Sequence, residues 1–449
     1  MTTFPKDFVW GTSTASYQIE GAAHADGRGA SIWDTFSHTP GKVLNGDTGD
    51  VADDHYHRWQ EDVALLRDLG VPAYRFSVAW PRILPDGVGR INPAGLDFYD
   101  RLVDALLAAG ITPWATLYHW DLPQALQDRG GWGNRDTIDA FVTYSDIVAK
   151  RLGDRVKNWM THNEPWVAAF VGNLFGEHAP GLRDLPLALA VAHNLLVSHG
   201  RAVPVIRAAS PGAQVGIVLN PQVAIPASDS EEDALAAKHF DGFINRWFLD
   251  PLYGRGYPSD MVALFGASGP TIEAGDMETI AVPTDFLGVN TYSPSFIRAD
   301  PNSSLGFGGL SEEELAARGY ELTTMGWPVV PEGMRTLLER LYRDYAPAAI
   351  YVAENGAAFP DVPADGVVRD PRRIAYLNSY LRSAHEALSA GVPLRGYLVW
   401  SFLDNFEWSF GYSRRFGLVY VDYTTLERTP KESFGWYRDV IAANGLADE

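Results

Sequence analysis

Two glutamates stand where an apolar run meets a chain breaker. In NWMTHNEPW (158–166), Trp159 and Met160 lead into Asn163 and Glu164, and Pro165 then removes a backbone donor and ends strand pairing. In AAIYVAENG (348–356), a second apolar run closes on Glu354, Asn355 and Gly356. A carboxylate at the mouth of an apolar core costs free energy unless it is paired or used. One such glutamate is easily a structural ion pair. Two, from different strands, suit paired-carboxylate acid–base chemistry. Other polar and aromatic residues fall at comparable places: Gln18, Arg75, His119 with Trp120, Asn290 with Tyr292, and Trp400, Glu407 and Trp408. The set holds hydrogen-bonding groups, carboxylates and aromatic faces, with no phosphate cradle and no metal cluster. His55 and His57 lie two apart, but they precede a helix with no third ligand nearby and read as structural. Trp10 and Trp33 read as core, and Arg414 and Arg415 as a salt-bridged loop.

These positions need elements to carry them. AYRFSVAW (73–80) reads as a strand, followed by a turn-rich loop through Pro85, Gly87 and Gly89. Asn92-Pro93 suits an N-cap and first turn, and Leu96, Tyr99, Leu102, Val103, Leu106 and Leu107 then share one helical face. Gly110 can close that helix, and ITPWATLYH (111–119) opens the next strand. A strand, helix and strand joined this way require a parallel crossover.

The pattern recurs through FVWGTSTAS, AYRFSVAW, TPWATLYH, VKNWMTHNE, AQVGIVLN, TDFLGVNTY, AAIYVAEN and GYLVWSF, with helical stretches such as 59–69, 136–152, 332–345 and 372–390 between them. Eight strands alternating with helices predict an α/β chain folded as a single (β/α)8 TIM barrel. The rival is a doubly wound sheet, but GTSTASYQIEG does not match the glycine-rich nucleotide turn it would need. A minimal barrel takes roughly 250 residues. The surplus of the 449 is therefore expected in long loops after the strands, forming the active-site mouth. No linker or low-complexity tract divides residues 1–449, which favours one catalytic domain.

Composition narrows the partners. With 36 basic against 56 acidic residues, a formal net charge of −20, the surface repels nucleic acid and anionic lipid, so neither is expected as a partner. The sequence has no Cys, which excludes disulfides, thiol catalysis and Cys-ligated metals. No segment approaches 18 continuous apolar residues, and MTTFPKDFVWGT lacks a basic end and apolar run, so the expected location is the cytoplasm. Aromatics make up 12% of the chain, and aromatic faces suit ligands with flat apolar patches between polar groups, as sugars have.

The motifs resemble those of glycoside hydrolase family 1 β-glucosidases. FVWGTSTASYQIEG (8–21) is similar to that family's N-terminal motif, THNEP (161–165) to its acid/base motif and AENG (353–356) to its nucleophile motif. The likeness continues in order through DGRGASIWDTF, YRFSVAWPRILP, LYHWDLP, GVNTY and LVWSFLDNFEWSFGYSRRFGL (398–418), and spans essentially the whole chain. Ala353 departs from it, since the nucleophile motif usually has Thr there. On a regular strand that side chain would point away from the face of Glu354.

The resemblance implies roles. Glu354 would be the nucleophile, with Arg75 holding its carboxylate charged and low in pKa and Tyr292 hydrogen-bonding to it. Asn290 would belong to the same catalytic group. Glu164 would be the general acid and then the base, its pKa raised by burial and by Glu354. The two carboxyls are expected roughly 5 Å apart, as in retaining glycosidases. Sugar binding would fall to Gln18, His119, Trp120, Asn163, Glu407, Trp408 and Phe416, with Trp400 as a stacking floor and Asn163 on the 2-hydroxyl. Trp327 and Asn220 would lie on the leaving-group side. The implied substrate is a small β-glucoside, with no cofactor and no metal, and β-galactoside, β-fucoside and transfer reactions as side activities. The rivals are a 6-phospho-β-glycosidase, whose members typically carry Ser where Glu407 stands, and a carbohydrate-binding barrel without catalysis.

Overall fold

The computed structural model describes residues 2–447. Its centre is a closed barrel of eight parallel strands: β1 (Val9–Ser13), β2 (Ala73–Ser77), β3 (Thr112–Tyr118), β4 (Asn158–Asn163), β5 (Gln214–Leu219), β6 (Phe286–Asn290), β7 (Ile350–Asn355) and β8 (Leu394–Trp400). Each pairs with its chain neighbours and β8 closes on β1, so the order around the barrel is the order along the chain. All eight sequence-derived strands are present.

At least one helix follows each strand, the principal ones being α1 (His55–Leu69), α2 (Pro93–Ala108), α3 (Asp136–Leu152), α4 (Leu185–Ala209), α5 (Glu231–Asp241), α6 (Glu332–Tyr345), α7 (Pro371–Ser389) and α8 (Glu432–Ala443), of which α5 lies against the short strands Ala224–Pro226, Ser295–Ala299 and Phe307–Gly309 outside the barrel. In α2 the apolar spacing buries Phe98, Tyr99, Leu102, Val103 and Leu106. The expected cap differs: Asn92 makes no side-chain cap, because its Nδ2 donates to the carbonyls of Asp26 and Arg82 and so ties the preceding loop to the helix start. Gly110 does follow the helix end with a left-handed φ of 76°.

Inside the barrel, Ala73, Trp114, Met160, Val218, Phe286 and Ala353 form one buried cluster contributed by six strands. This is a filled core, as the architecture demands. Gly216 is needed there: a Cβ would meet the Phe286 ring at 2.5 Å. The position of Ala353 corrects the expectation from regular alternation. It lies within this interior cluster, and Glu354 also faces the barrel mouth, because the register of β7 slips between Val352 and Glu354 against β6 and between Val352 and Asn355 against β8.

The surplus chain lies mostly beyond the C-terminal strand ends, as expected. The loops after β5 and β6 form a small outer sheet in which Ser295–Ala299 pairs parallel with Ala224–Pro226 and antiparallel with Phe307–Gly309. Among the described residues no helix is long and apolar enough to cross a membrane, and no group of three or more His, Asp or Glu could hold a metal ion. His55 and His57 instead pair with Asp62 and Asp54. Trp10 and Trp33 are core, and Arg415 pairs with Asp404 at 2.7 Å, whereas Arg414 lies over the Phe410 ring.

Candidate active site

Arg75 organises the floor of the mouth. It leaves β2 fully buried, yet every part of its guanidinium is engaged: one nitrogen donates to Glu354 Oε1 at 2.6 Å, another to Asn163 Oδ1 at 2.6 Å, and Nε to Thr116 Oγ1 at 3.0 Å. Tyr292, just past β6, donates to the other oxygen of Glu354 at 2.6 Å. The backbone that carries Tyr292 is held in turn, since the hydroxyls of Tyr376 and Tyr380 on α7 both donate to its carbonyl at 2.8 Å. Glu354 thus receives one cationic hydrogen bond from within β2 and one neutral hydrogen bond from just past β6.

Glu164 is held differently. It follows the last residue of β4 with a left-handed φ of 46°, an uncommon conformation for a residue with a side chain, and its N–H donates to Val218 O on β5 at 2.9 Å. Among the described residues its carboxylate accepts only from an amide, Asn290 Nδ2, at 2.5 Å. The same Nδ2 donates to Asn163 Oδ1 at 3.0 Å and also favours the charged form of Glu354.

Burial, followed by the negative charge of Glu354, pushes Glu164 up to about 8. Glu354 corrects the expected depression: burial raises it above the ordinary carboxylate value, even though Arg75 and Tyr292 pull the other way. The charge of the pair rests on Glu354, which has the guanidinium, and the proton rests on Glu164, which has only an amide. Glu407 is also raised to about 8, first by burial and then by Glu354. Burial and the nearby Arg75 hold His119 well below its usual value, so its ring is neutral.

Four buried polar atoms around this pair have no hydrogen-bond partner among the described residues: Gln18 Oε1, His119 Nδ1, Asn290 Oδ1 and Glu407 Oε2. An unsatisfied buried group costs roughly 1–3 kcal/mol, so four in one mouth indicate groups kept for a polar ligand. Each is positioned by its neighbours. Gln18 Nε2 is fixed by Asn405 Oδ1 and Phe406 O, both at 2.9 Å, and His119 Nε2 accepts from Asn163 Nδ2 at 3.1 Å.

Aromatic faces border them. The Trp120 and Trp408 rings lie 4.5 Å apart, both residues have left-handed φ, and Trp120 Nε1 donates to Asn163 O at 2.9 Å. Trp400, Phe416, Tyr292 and Trp327 pack as a second group.

A cavity of about 380 Å³ opens over this floor, lined by both glutamates and by His119, Trp120, Tyr292, Trp327, Trp400, Glu407, Trp408 and Phe416. Arg75, Gln18 and Asn163 are fully buried behind its wall. A second cavity of about 340 Å³ shares Glu164, Val167, Tyr292 and Trp327 with the first and includes Asn220 and Asn290. The sequence-derived site residues are thus brought together.

The sequence reading missed several others. Val167 lines both cavities, Trp166 and Gln222 line the second, His178, which burial lowers to about 3, lines the first, and Asn405 holds Gln18. Trp166 stands two residues after Glu164 and was within reach of inspection. Nothing local marks Gln222 or Asn405.

Residues 1–446 match glycosyl hydrolase family 1. "Beta-glucosidase A" of Acetivibrio thermocellus is 50% identical, with 99% of each chain covered. A "Bifunctional beta-D-glucosidase/beta-D-fucosidase" of Bifidobacterium breve is 46% identical, with 98% of each covered. Among solved structures, a β-glucosidase from Thermotoga maritima in complex with glucoimidazole is 50% identical, with a TM-score of 0.96 over 99% of this chain and 100% of that one.

Proposed function

The chain belongs to glycosyl hydrolase family 1 and is a retaining β-glucosidase, and we propose that it cleaves terminal β-D-glucosyl residues with Glu354 as nucleophile and Glu164 as acid, then base. The observation that carries these roles is the unequal support of the two carboxylates. Arg75 and Tyr292 keep charge on Glu354, while Glu164, pushed up to about 8, holds a proton at neutral pH.

In the first step a Glu354 oxygen attacks the anomeric carbon as the glycosidic bond breaks, and Glu164 gives its proton to the departing oxygen. The glucosyl ester that forms removes the charge of Glu354. That charge is the second-largest cause of Glu164's raised value, so Glu164 becomes a stronger acid once it is gone. In its ionised form Glu164 then takes a proton from water, the water oxygen attacks the anomeric carbon, and Glu354 leaves as carboxylate. Two inversions return the β configuration. This retaining mechanism calls for a carboxyl separation of roughly 5 Å.

The orphaned atoms of Gln18, His119 and Glu407 provide donors and acceptors for sugar hydroxyls, and a substrate lacking one of those hydroxyls would leave buried groups unpaired. Neutral Glu407 can both donate and accept, which suits either configuration at one hydroxyl. This supports side activity on β-D-fucosides, an activity printed in the name of the Bifidobacterium relative. A 6-phosphorylated sugar fits poorly, because no Lys or Arg lines the sugar cavity among the described residues. The family match over 1–446 supports reading the chain as one catalytic domain, and the cysteine-free sequence accords with a cytoplasmic site of action.

The test is a proton NMR time course with an aryl β-D-glucoside. β-Glucose appearing before mutarotation supports the two-step mechanism. α-Glucose appearing first contradicts it.

A further inference from the structure

We propose that Gln222 is a specificity-determining residue that selects a saccharide leaving group, its side-chain amide donating to a hydroxyl of the sugar released in the first step. This rests on the β-glucosidase reading above. The two cavities meet at Glu164, which protonates the leaving oxygen, so the bond that breaks spans from one to the other. The leaving-group cavity, about 340 Å³, is nearly as roomy as the sugar cavity of about 380 Å³. Its lining alternates polar groups with apolar walls, Asn220, Thr291 and Ser293 beside Trp166, Trp327 and Leu310, a pattern that fits a sugar ring with hydroxyls on its rim.

Within that lining Gln222 is held more firmly than an exposed loop residue needs to be. Its N–H donates to Asn245 Oδ1 at 2.9 Å and its carbonyl accepts from Asn245 Nδ2 at 2.7 Å, so one buried side chain grips both backbone groups. Asn245 is anchored to Asp241 at 2.7 Å, and Asp241 is paired with Arg246 and Arg340. The side chain is oriented as well: Ser295 Oγ, at the start of the outer strand, donates to Gln222 Oε1. That leaves Nε2, which makes no hydrogen bond to protein among the described residues, on a half-buried side chain lining the cavity. Gln222 stands two residues beyond Asn220, up to ~7 Å farther along the chain from the barrel end, where a leaving group larger than one small ring would reach. A fixed donor with nothing to donate to is the feature that discriminates a hydroxylated leaving group from an aryl one.

The experiment compares kcat/KM for cellobiose, cellotriose and 4-nitrophenyl β-D-glucoside in the wild type, Gln222→Leu and Ser295→Ala. The inference expects Gln222→Leu to lower the ratio of cellotriose to aryl glucoside about tenfold, the worth of one hydrogen bond, with the change in KM. Ser295→Ala, which frees the amide to rotate, should move the ratio the same way by less. An unchanged ratio, whether all three substrates fall together or none does, overturns it. A wild type inactive on all three would instead overturn the β-glucosidase reading, and this inference with it.

Discussion

The two glutamates differ in what holds them, and that difference makes the single-residue predictions. Glu354→Ala removes the attacking oxygen and should abolish turnover of every glycoside in a steady-state assay. Glu164→Gln should cost about 10²–10⁴-fold on cellobiose, whose leaving oxygen needs a proton, and far less in the glycosylation step of an activated aryl glucoside. Because Glu164 must start protonated and sits near 8, kcat/KM should fall as pH rises through about 8. Tyr292→Phe deletes a donor to the charged form of Glu354, so the acidic limb of the same profile should move to higher pH. Both carboxylates were legible in the sequence, since each ends an apolar strand on a breaker. Their pKa order was legible only in part. The competing strengths of burial and Arg75 at Glu354 depend on how deeply a strand end is covered, and no local pattern shows that.

At the scale of elements, the eight strands were readable because a buried parallel sheet demands continuous apolar runs bounded by turns. The outer sheet was not. Ala224–Pro226 and Phe307–Gly309 are three residues each, too short for a period, and they are set by the partners they meet across long loops. The same limit hid Gln222, whose importance comes from Asn245 and Ser295 and not from its neighbours in sequence. Alternation also failed once, at Ala353, where a slip in β7 puts consecutive residues at the barrel interior and mouth. That strand end is sterically tight: a Cβ on Gly356 would lie 1.7 Å from the carbonyl oxygen of Trp400. Gly356→Ala must push β7 and β8 apart next to Glu354. It should lower stability by about 1–3 kcal/mol, read by thermal melting, and reduce kcat more than the melting shift alone explains.

Across the molecule, several carboxyls are buried with their values raised: Asp121 to about 7, Glu164 and Glu407 to about 8, and Asp53 well above the ordinary range, with both of its side-chain oxygens unpartnered among the described residues. Their folded values exceed the unfolded ones. The stability that is intact below the ordinary carboxylate range is therefore lost as pH rises toward 8. Among the described residues Asp53 is the one of these outside the mouth whose carboxyl has no hydrogen-bond partner on either oxygen, and burial outweighs the attraction of Arg428. Asp53→Asn removes its titration without changing its shape, so it should raise stability, read by thermal melting, by about 1–3 kcal/mol at pH 8 and by less at pH 5. Equal shifts at both pH values would show that Asp53 does not carry the proton.

The central claim is that Glu354 forms the covalent bond to the sugar. The measurement that meets it most directly is mass spectrometry after incubation with an activated 2-deoxy-2-fluoro-β-D-glucoside, with peptide mapping of the trapped enzyme. One fluoroglucosyl group on the peptide carrying Glu354, absent from the Glu354→Ala variant, is the result predicted here. A label on Glu164 or Glu407, or inactivation without any covalent adduct, would contradict it.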